Sequence, residues 1–352
     1  DMLTTRRSLI KGVALGAAAL GMPTLGVAQD ALEPGVYSAS EEGVGKVTVT
    51  LTVDESGIAE VAVDVSGETP FVGGLVGEAL RTQLLDSADG TIDGVAGATI
   101  TSWAVSAAAR KCLLQAAGEP VGEVPEWDDS YDSDWLGHEP QIDESLMTET
   151  WETSILIVGA GNAGLAAGAY AADNGLDYRI IERNPMKGDT RLYYGAVDTS
   201  AAQAAGAEPV DRKHLLNEIS RYASGKCNQA VVKVWIDESA QMHEFVNELM
   251  TAEPYNLSCM FTAGESSHWP EAEHVTDYMF PEIEHTFGGW SGEPKRNDVF
   301  SDFIEGHGGH IDYCCQLVKL EKEQGRVVGA IAQDRNDGHF IRINASRGVL
   351  LA

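Results

Sequence analysis

ETSILIVGAGNAGLAAGAYAADNGLDYRIIE, residues 152–182, is the stretch that decides the fold. Ile155 to Val158 is a short continuous apolar run, the mark of a strand buried on both faces. Gly159-Ala160-Gly161-Asn162-Ala163-Gly164 follows at once, then the helical LAAGAYAADNG, then a second strand, DYRIIE, that ends at Glu182. This is G-x-G-x-x-G in its required strand–turn–helix–strand setting. Gly159 permits the tight turn, Gly161 lets the backbone approach a pyrophosphate, and Gly164, with Ala163 beside it, lets helix and strand pack closely. Glu182, 18 residues after Gly164, offers the acceptor for a ribose diol. The expectation is an α/β, Rossmann-like domain with a dinucleotide at a helix N-terminus.

Downstream, RNPMKGDTRLYYGAVDTSAAQ, residues 183–203, resembles the loop of the fumarate reductase and urocanate reductase flavoproteins. In that family a Gly-Gly-Asn-Ser-like turn and a later Gly-Gly pair wrap FAD. On this chain Gly188, Asp189 and Thr190 fall on the first turn, and Gly195 and Ala196 on the second. Lys187, Asp189 and Ala196 depart from the family's Gly, Asn and Gly, and Tyr193-Tyr194 is bulkier than usual. Residues 212–250 read as helices, and 310–352 as a meander of strands like the end of the family's first FAD half. The resemblance implies that the arginine and histidine that hold a carboxylate and deliver a proton lie beyond Ala352, in a longer flavoenzyme. His268, His285, His307 and His310 read as surface or packing histidines, without a catalytic role.

Upstream lies a different kind of domain, residues 31–118. In KVTVTLTV, Val47, Val49, Leu51 and Val53 alternate with Thr48, Thr50 and Thr52, the period of a half-buried strand. DESG turns the chain into IAEVAVDV, so a hairpin is expected. VGGLVGEALRTQLLDSA then reads as a helix, DGVAGATITS (93–102) as a loop, and 103–117 as a closing helix with Thr101 or Ser102 as its cap. Together these segments resemble the FMN-binding domain that also occurs in subunits of sodium-pumping quinone reductases. In that family an Asp-x-x-(Ser/Thr)-Gly-Ala-Thr motif is the target of a flavin transferase, which joins the last threonine to FMN as a phosphodiester. Here Asp93, Gly97 and Ala98 match and Thr99 is the tether, with Ala96 where Ser or Thr is more usual. Small neighbours leave the hydroxyl accessible, and the positive end of the following helix suits a phosphate.

Thr5-Arg6-Arg7-Ser8-Leu9-Ile10-Lys11, a Gly/Ala-rich apolar stretch and Gly26-Val27-Ala28 read as a twin-arginine signal peptide over residues 1–28. Residues 119–150 hold eleven acids, no Lys or Arg and three prolines, the composition of an extended acidic linker. Trp127, Tyr131 and Trp135 within it are expected to dock on a domain. The whole chain carries 54 acids against 24 bases, a net charge of −30, which excludes nucleic acid and broad anionic lipid surfaces as partners. Five scattered cysteines form no CxxC pair, so neither zinc nor c-type haem is expected.

The reading is therefore an α+β FMN-binding domain, an acidic linker, and over 151–352 the N-terminal portion of an α/β Rossmann-like FAD-binding domain. The signal peptide implies export, and the resemblances imply an oxidoreductase that takes electrons from a membrane or soluble donor. Covalent FMN passes them to FAD, and the C=C bond of a small unsaturated carboxylate (fumarate, urocanate or an acrylate) is reduced. A secreted electron-carrier module and a ketosteroid-type dehydrogenase are the alternatives.

Overall fold

The computed structural model describes residues 32–122, 140–190, 193–261, 284–287 and 294–352. The predicted signal peptide, the linker residues Trp127, Tyr131 and Trp135, and His268 lie outside them. The chain divides into two compact units, one of Asp1–Ala167, Asn174–Lys187 and His310–Ala352, the other of Gly168–Asp173 and Gly188–Gly309. Residues 151–352 contribute to both units, and their ends share a unit with the FMN-type domain.

That domain opens with an antiparallel meander, β1 (Gly35–Glu42), β2 (Lys46–Asp54) and β3 (Gly57–Asp64). Val47, Val49, Leu51 and Val53 all point into the core, as their period requires. The threonines of β2 face the other way and meet serines of β1, Ser38 with Thr50 at 3.0 Å and Ser40 with Thr48 at 2.9 Å. Helix α1 (Gly77–Leu85) buries Leu80 and Leu84, and α2 (Thr99–Ala116) is buried along almost its whole length. Its alanines at 104 and 107–109 bring the helix axis close to the sheet, with Trp103, Val105 and Leu113 filling the layer between.

The second part begins with β4 (Met147–Val158), α3 (Asn162–Asp173) and β5 (Tyr178–Ile181). β4 starts inside the stretch read as linker, because Met147 and Glu149–Trp151 pair with Phe340–Ile343. That partner is remote in sequence and supplies hydrogen bonds that the polar composition of 147–150 did not suggest.

The other unit contains β6 (Tyr193–Gly195), α4 (Ser200–Ala204), α5 (Arg212–Tyr222), α6 (Gln229–Thr251), β7 (Cys259–Phe261), β8 (Glu284–Phe287) and α7 (Arg296–Gly306). Its strands form a small antiparallel sheet in the order β6-β8-β7. Side-chain caps start three of the helices: Thr199 accepts from the Ala202 amide, Asp211 from Lys213 and His214, and Asn228 from Ala230.

The chain then returns through β9 (Ile311–Asp312), β10 (Cys315–Glu323), β11 (Arg326–Asp334) and β12 (Phe340–Leu351). A six-stranded mixed sheet results, in the order β10-β11-β12-β4-β5-β9. The expected meander is β10-β11-β12, and β12 joins it in parallel to β4. Among the described residues no helix is long and apolar enough to cross a membrane, and no His/Cys/Asp/Glu group is arranged to hold a metal ion. All five cysteines are free thiols, with Cys112, Cys314 and Cys315 buried.

Candidate functional site

The Gly159–Gly164 turn leaves β4 and enters α3 at the carboxyl edge of the parallel strands. Gly159 has φ +106°, a conformation that disfavours any side chain, and a Cβ there would lie 2.7 Å from the Ala352 carbonyl oxygen. A Cβ on Gly164 would meet the Gly159 carbonyl oxygen at 1.9 Å, so the third glycine is required by helix–turn packing. Above Gly161 a Cβ would meet nothing within 4 Å, an open approach to the backbone. Ala163 is exposed on the first turn of α3.

Glu182 is nearly buried and already engaged: its carboxylate accepts the Ala160 amide at 2.8 Å and the Asn184 amide at 2.8 Å. It therefore ties the glycine turn to the end of β5, and its remaining lone pairs are what a ribose would meet. The donor set, with an open approach over Gly161 and an acid one strand over, fits the diphosphate and ribose of FAD.

The second set of predicted residues belongs to the other unit. The Gly188 carbonyl accepts from Asn297 Nδ2 at 2.7 Å, Asp189 pairs with Lys295 Nζ at 2.7 Å, and Thr190 Oγ1 accepts from Arg296 at 3.0 Å. Three consecutive residues at the start of α7 thus hold three consecutive residues of the turn. Asp189, which stands where the family has Asn, finds its counter-charge in Lys295.

Arg296 also stacks 4.4 Å from the ring centroid of Tyr194 and so links the first turn to the second. There Gly195 offers its carbonyl to Trp235 Nε1 at 3.1 Å, and Ala196 is buried. Tyr194 shares a hydrogen bond of 2.7 Å with His243 Nδ1, and His285 Nε2 lies 2.7 Å from Thr199 Oγ1. Burial pushes the Tyr194 phenol well above its ordinary value and the His243 imidazole down, so both stay neutral near pH 7. His285 is a packing histidine, as expected, whereas His307 and His310 are exposed.

Thr99 is the first residue of α2, so the helix starts four residues before the expected 103. The predicted cap is corrected. Ala98 occupies the N-cap, without a side-chain acceptor, because Thr101 and Ser102 are committed elsewhere. Thr101 Oγ1 donates to the buried Glu68 at 3.0 Å; Ser102 Oγ accepts the Val95 amide at 3.0 Å and donates to the Ala98 carbonyl at 2.8 Å.

The first helical bond runs from the Ser102 amide to the Ala98 carbonyl, which leaves the amides of Thr99, Ile100 and Thr101 at the open end of an 18-residue helix. Among the described residues the Thr99 hydroxyl has no hydrogen-bond partner. Gly97, at φ +86°, has nothing within 4 Å of a would-be Cβ, and Gln83 pins the loop by pairing with both backbone groups of Gly94. Asp93 is exposed beside it. An accessible hydroxyl on an uncapped helix N-terminus fits an esterified phosphate.

Sequence reasoning missed Lys295, Arg296 and Asn297, Glu68 and Gln83. Each acts on a segment far away in the chain, and none belongs to a recurrent spacing.

A glycine turn between parallel strands and a separate α+β domain with a bare helix N-terminus together define a chain built to bind two flavins. The comparisons agree. The chain belongs to the FAD binding domain family, whose model matches residues 154–352, and residues 43–114 match the FMN-binding domain. It is 26% identical over 368 residues to NADH:acrylate oxidoreductase of Vibrio harveyi, covering 90% of this chain and 35% of that protein. It is 26% identical over 173 residues to urocanate reductase of Eggerthella lenta, covering 49% of this chain and 26% of that protein. The alignments thus span about a third and a quarter of these relatives' lengths. Among solved structures, the open conformation of a flavocytochrome c3 fumarate reductase aligns over 67% of this chain and 38% of its own, at 21% identity and a TM-score of 0.45.

Proposed function

We propose that the protein to which these two domains belong is an exported two-flavin oxidoreductase that reduces the C=C bond of a small unsaturated carboxylate. The observation that carries this reading is the uncapped N-terminus of α2, bearing Thr99, in the same compact unit as the Gly159–Gly164 turn. Relatives named for acrylate and urocanate reduction support the substrate class. Thr99 is the tether for FMN, attached by a flavin transferase, and the amides of residues 99–101 hold the phosphate. Gly159, Gly161, Ala163, Gly164 and Glu182 hold the FAD diphosphate and ribose, with Gly188, Asp189, Thr190, Gly195 and Ala196 as the second wrap. Bound FAD supplies hydride chemistry and FMN an electron relay from a membrane or soluble donor. The chain's own contribution is placement and a preorganised field around the nucleotides. Arg6-Arg7 and the apolar stretch after them support export by the twin-arginine route.

The test uses full-length protein co-expressed with a flavin transferase. Tryptic mass spectrometry is expected to find an FMN phosphodiester on Thr99. Anaerobically reduced protein is then titrated with acrylate, fumarate and urocanate. Flavin reoxidation by at least one of them is the expected result. Reoxidation by none overturns the substrate class, and an unmodified Thr99 peptide overturns the tether.

A further inference from the structure

The turn Asp334-Arg335-Asn336-Asp337-Gly338-His339 joins β11 to β12, yet the Arg335 and Asn336 side chains reach residues of the FMN-type domain. Arg335 is 2% exposed. It donates to Glu41 Oε1 at 2.7 Å, to the Glu42 carbonyl, and to the Arg183 carbonyl at 2.9 Å. The other Glu41 oxygen accepts from Lys111 Nζ at 2.7 Å. Burial pushes the Glu41 carboxyl up, but Lys111 and Arg335 together outweigh it and hold it below the usual range.

The same guanidinium lies 4.6 Å from the centroid of the Trp103 ring, and Trp103 Nε1 donates to Asn336 Oδ1 at 3.0 Å. Cys314 and Tyr313, from the loop before β10, pack within the apolar core of the FMN-type domain. The exit of that domain is held too: Gln333 Nε2 donates to the Gly122 carbonyl at 2.8 Å, and a Cβ on Gly122 would lie 2.5 Å from the Gly338 carbonyl oxygen.

Domains joined by an acidic linker are ordinarily free to move. Here separation would strip Glu41 of one of its two cations, break the indole hydrogen bond and open a shared apolar core. Unpairing buried charges and donors is costly enough to make the open state rare. Trp103 is also one helical turn beyond Thr99, on the same face of α2, so the turn grips the helix next to the tether.

We infer that the 334–339 turn is a docking key that holds the FMN-binding domain in one position on the FAD-binding sheet, with Arg335 as its positioning residue. The consequence for electron transfer rests on the proposed two-flavin function: electrons lost by FMN are gained by FAD across a fixed gap, without a domain swing.

Two measurements on the full-length protein test it. In hydrogen–deuterium exchange, Arg335→Met is expected to raise exchange of the 99–116 amides tenfold or more, while Arg326→Met, an exposed charge loss on the same sheet, leaves them unchanged. Flash photoreduction then follows FMN-to-FAD transfer in rising glycerol. The native rate is expected to stay flat, and the Arg335→Met rate to fall in proportion to viscosity. A native rate that tracks viscosity, or an Arg335→Met protein that exchanges like the native one, overturns the docking key. Should Arg335→Met not fold, the native viscosity profile decides, and Trp103→Phe, which loses the indole donor and shrinks the ring beneath Arg335, is expected to raise exchange of the same amides, unchanged exchange counting against the docking key. If Thr99 carries no FMN the tether fails, while the exchange experiment still decides the docking.

Discussion

Asp334 sets up a pH dependence that a single substitution isolates. Burial first, and then the neighbouring Asp337 carboxylate, push its carboxyl up to about 6, against the opposing pull of the Asn336 amide and of Arg110. A free aspartate titrates near 3.9, so the gap is about two units, and at ~1.4 kcal/mol per unit the ionised form costs the fold about 3 kcal/mol. Asp334 is only half-buried as a residue, which lowers the expectation to about 2 kcal/mol.

The sign follows from proton binding. The folded state holds this proton more tightly than the unfolded one, so below about pH 4 there is no penalty. Stability from this group falls as pH rises from about 4 to 6 and stays low above that. Asp334→Asn keeps an acceptor for the Asn336 amide, which bonds Oδ1 at 2.8 Å, and removes the charge. Denaturant unfolding of native and variant full-length protein at pH 4.5, 6 and 7.5 is the assay, since other titrating groups cancel in the difference. The variant should exceed the native protein by under about 1 kcal/mol at pH 4.5 and by about 2 kcal/mol at pH 7.5. A variant that is less stable at pH 7.5 would refute the reasoning, because it would mean that an ionised Asp334 is paired with Arg110 to net advantage.

Gly164→Val should abolish FAD retention, measured by absorbance after gel filtration, because its Cβ would lie 1.9 Å from the Gly159 carbonyl oxygen, while the FMN-type domain keeps its fold by circular dichroism. Thr99→Val should eliminate the protein-bound FMN in acid precipitates and leave the FAD content unchanged; retained FMN in the precipitate would move the tether elsewhere. Tyr194→Phe removes the partner of His243 Nδ1 from a ring whose Nε2 already lacks a hydrogen bond among the described residues. A loss of about 1–3 kcal/mol in denaturant unfolding is expected, and a neutral outcome would show that the imidazole finds water instead.

Much of the fold was legible because its signals are local. The alternation in β2 and the run from Ile155 through Gly164 to Glu182 each name their own conformation, since period and glycine spacing act over a few residues. The Thr99 motif was legible through its resemblance to the FMN-binding family's motif, since its spacing alone reads as an ordinary glycine turn before a helix. The errors fell where a distant partner overrode a local preference. Thr101 and Ser102 have the side chains of helix caps, but Glu68 and the Val95 amide claim them, so α2 begins at Thr99 with Ala98 as its cap. Met147–Thr150 is polar enough to pass for linker, and becomes strand only because β12 offers it a ladder from nearly two hundred residues away.

By itself the sequence determined the β2 strand and the glycine turn of the FAD-type domain, because short-range sterics and hydrogen bonding require those residue types at those spacings, while the FMN-type domain and its threonine were legible through their resemblance to a family motif. The tertiary structure alone decided which charges meet. Lys295 reaches Asp189, and Arg335 reaches Glu41 across the boundary between two domains. Buried charges are stable only with partners, and no periodicity along a chain says which residue, some three hundred positions away, will supply one.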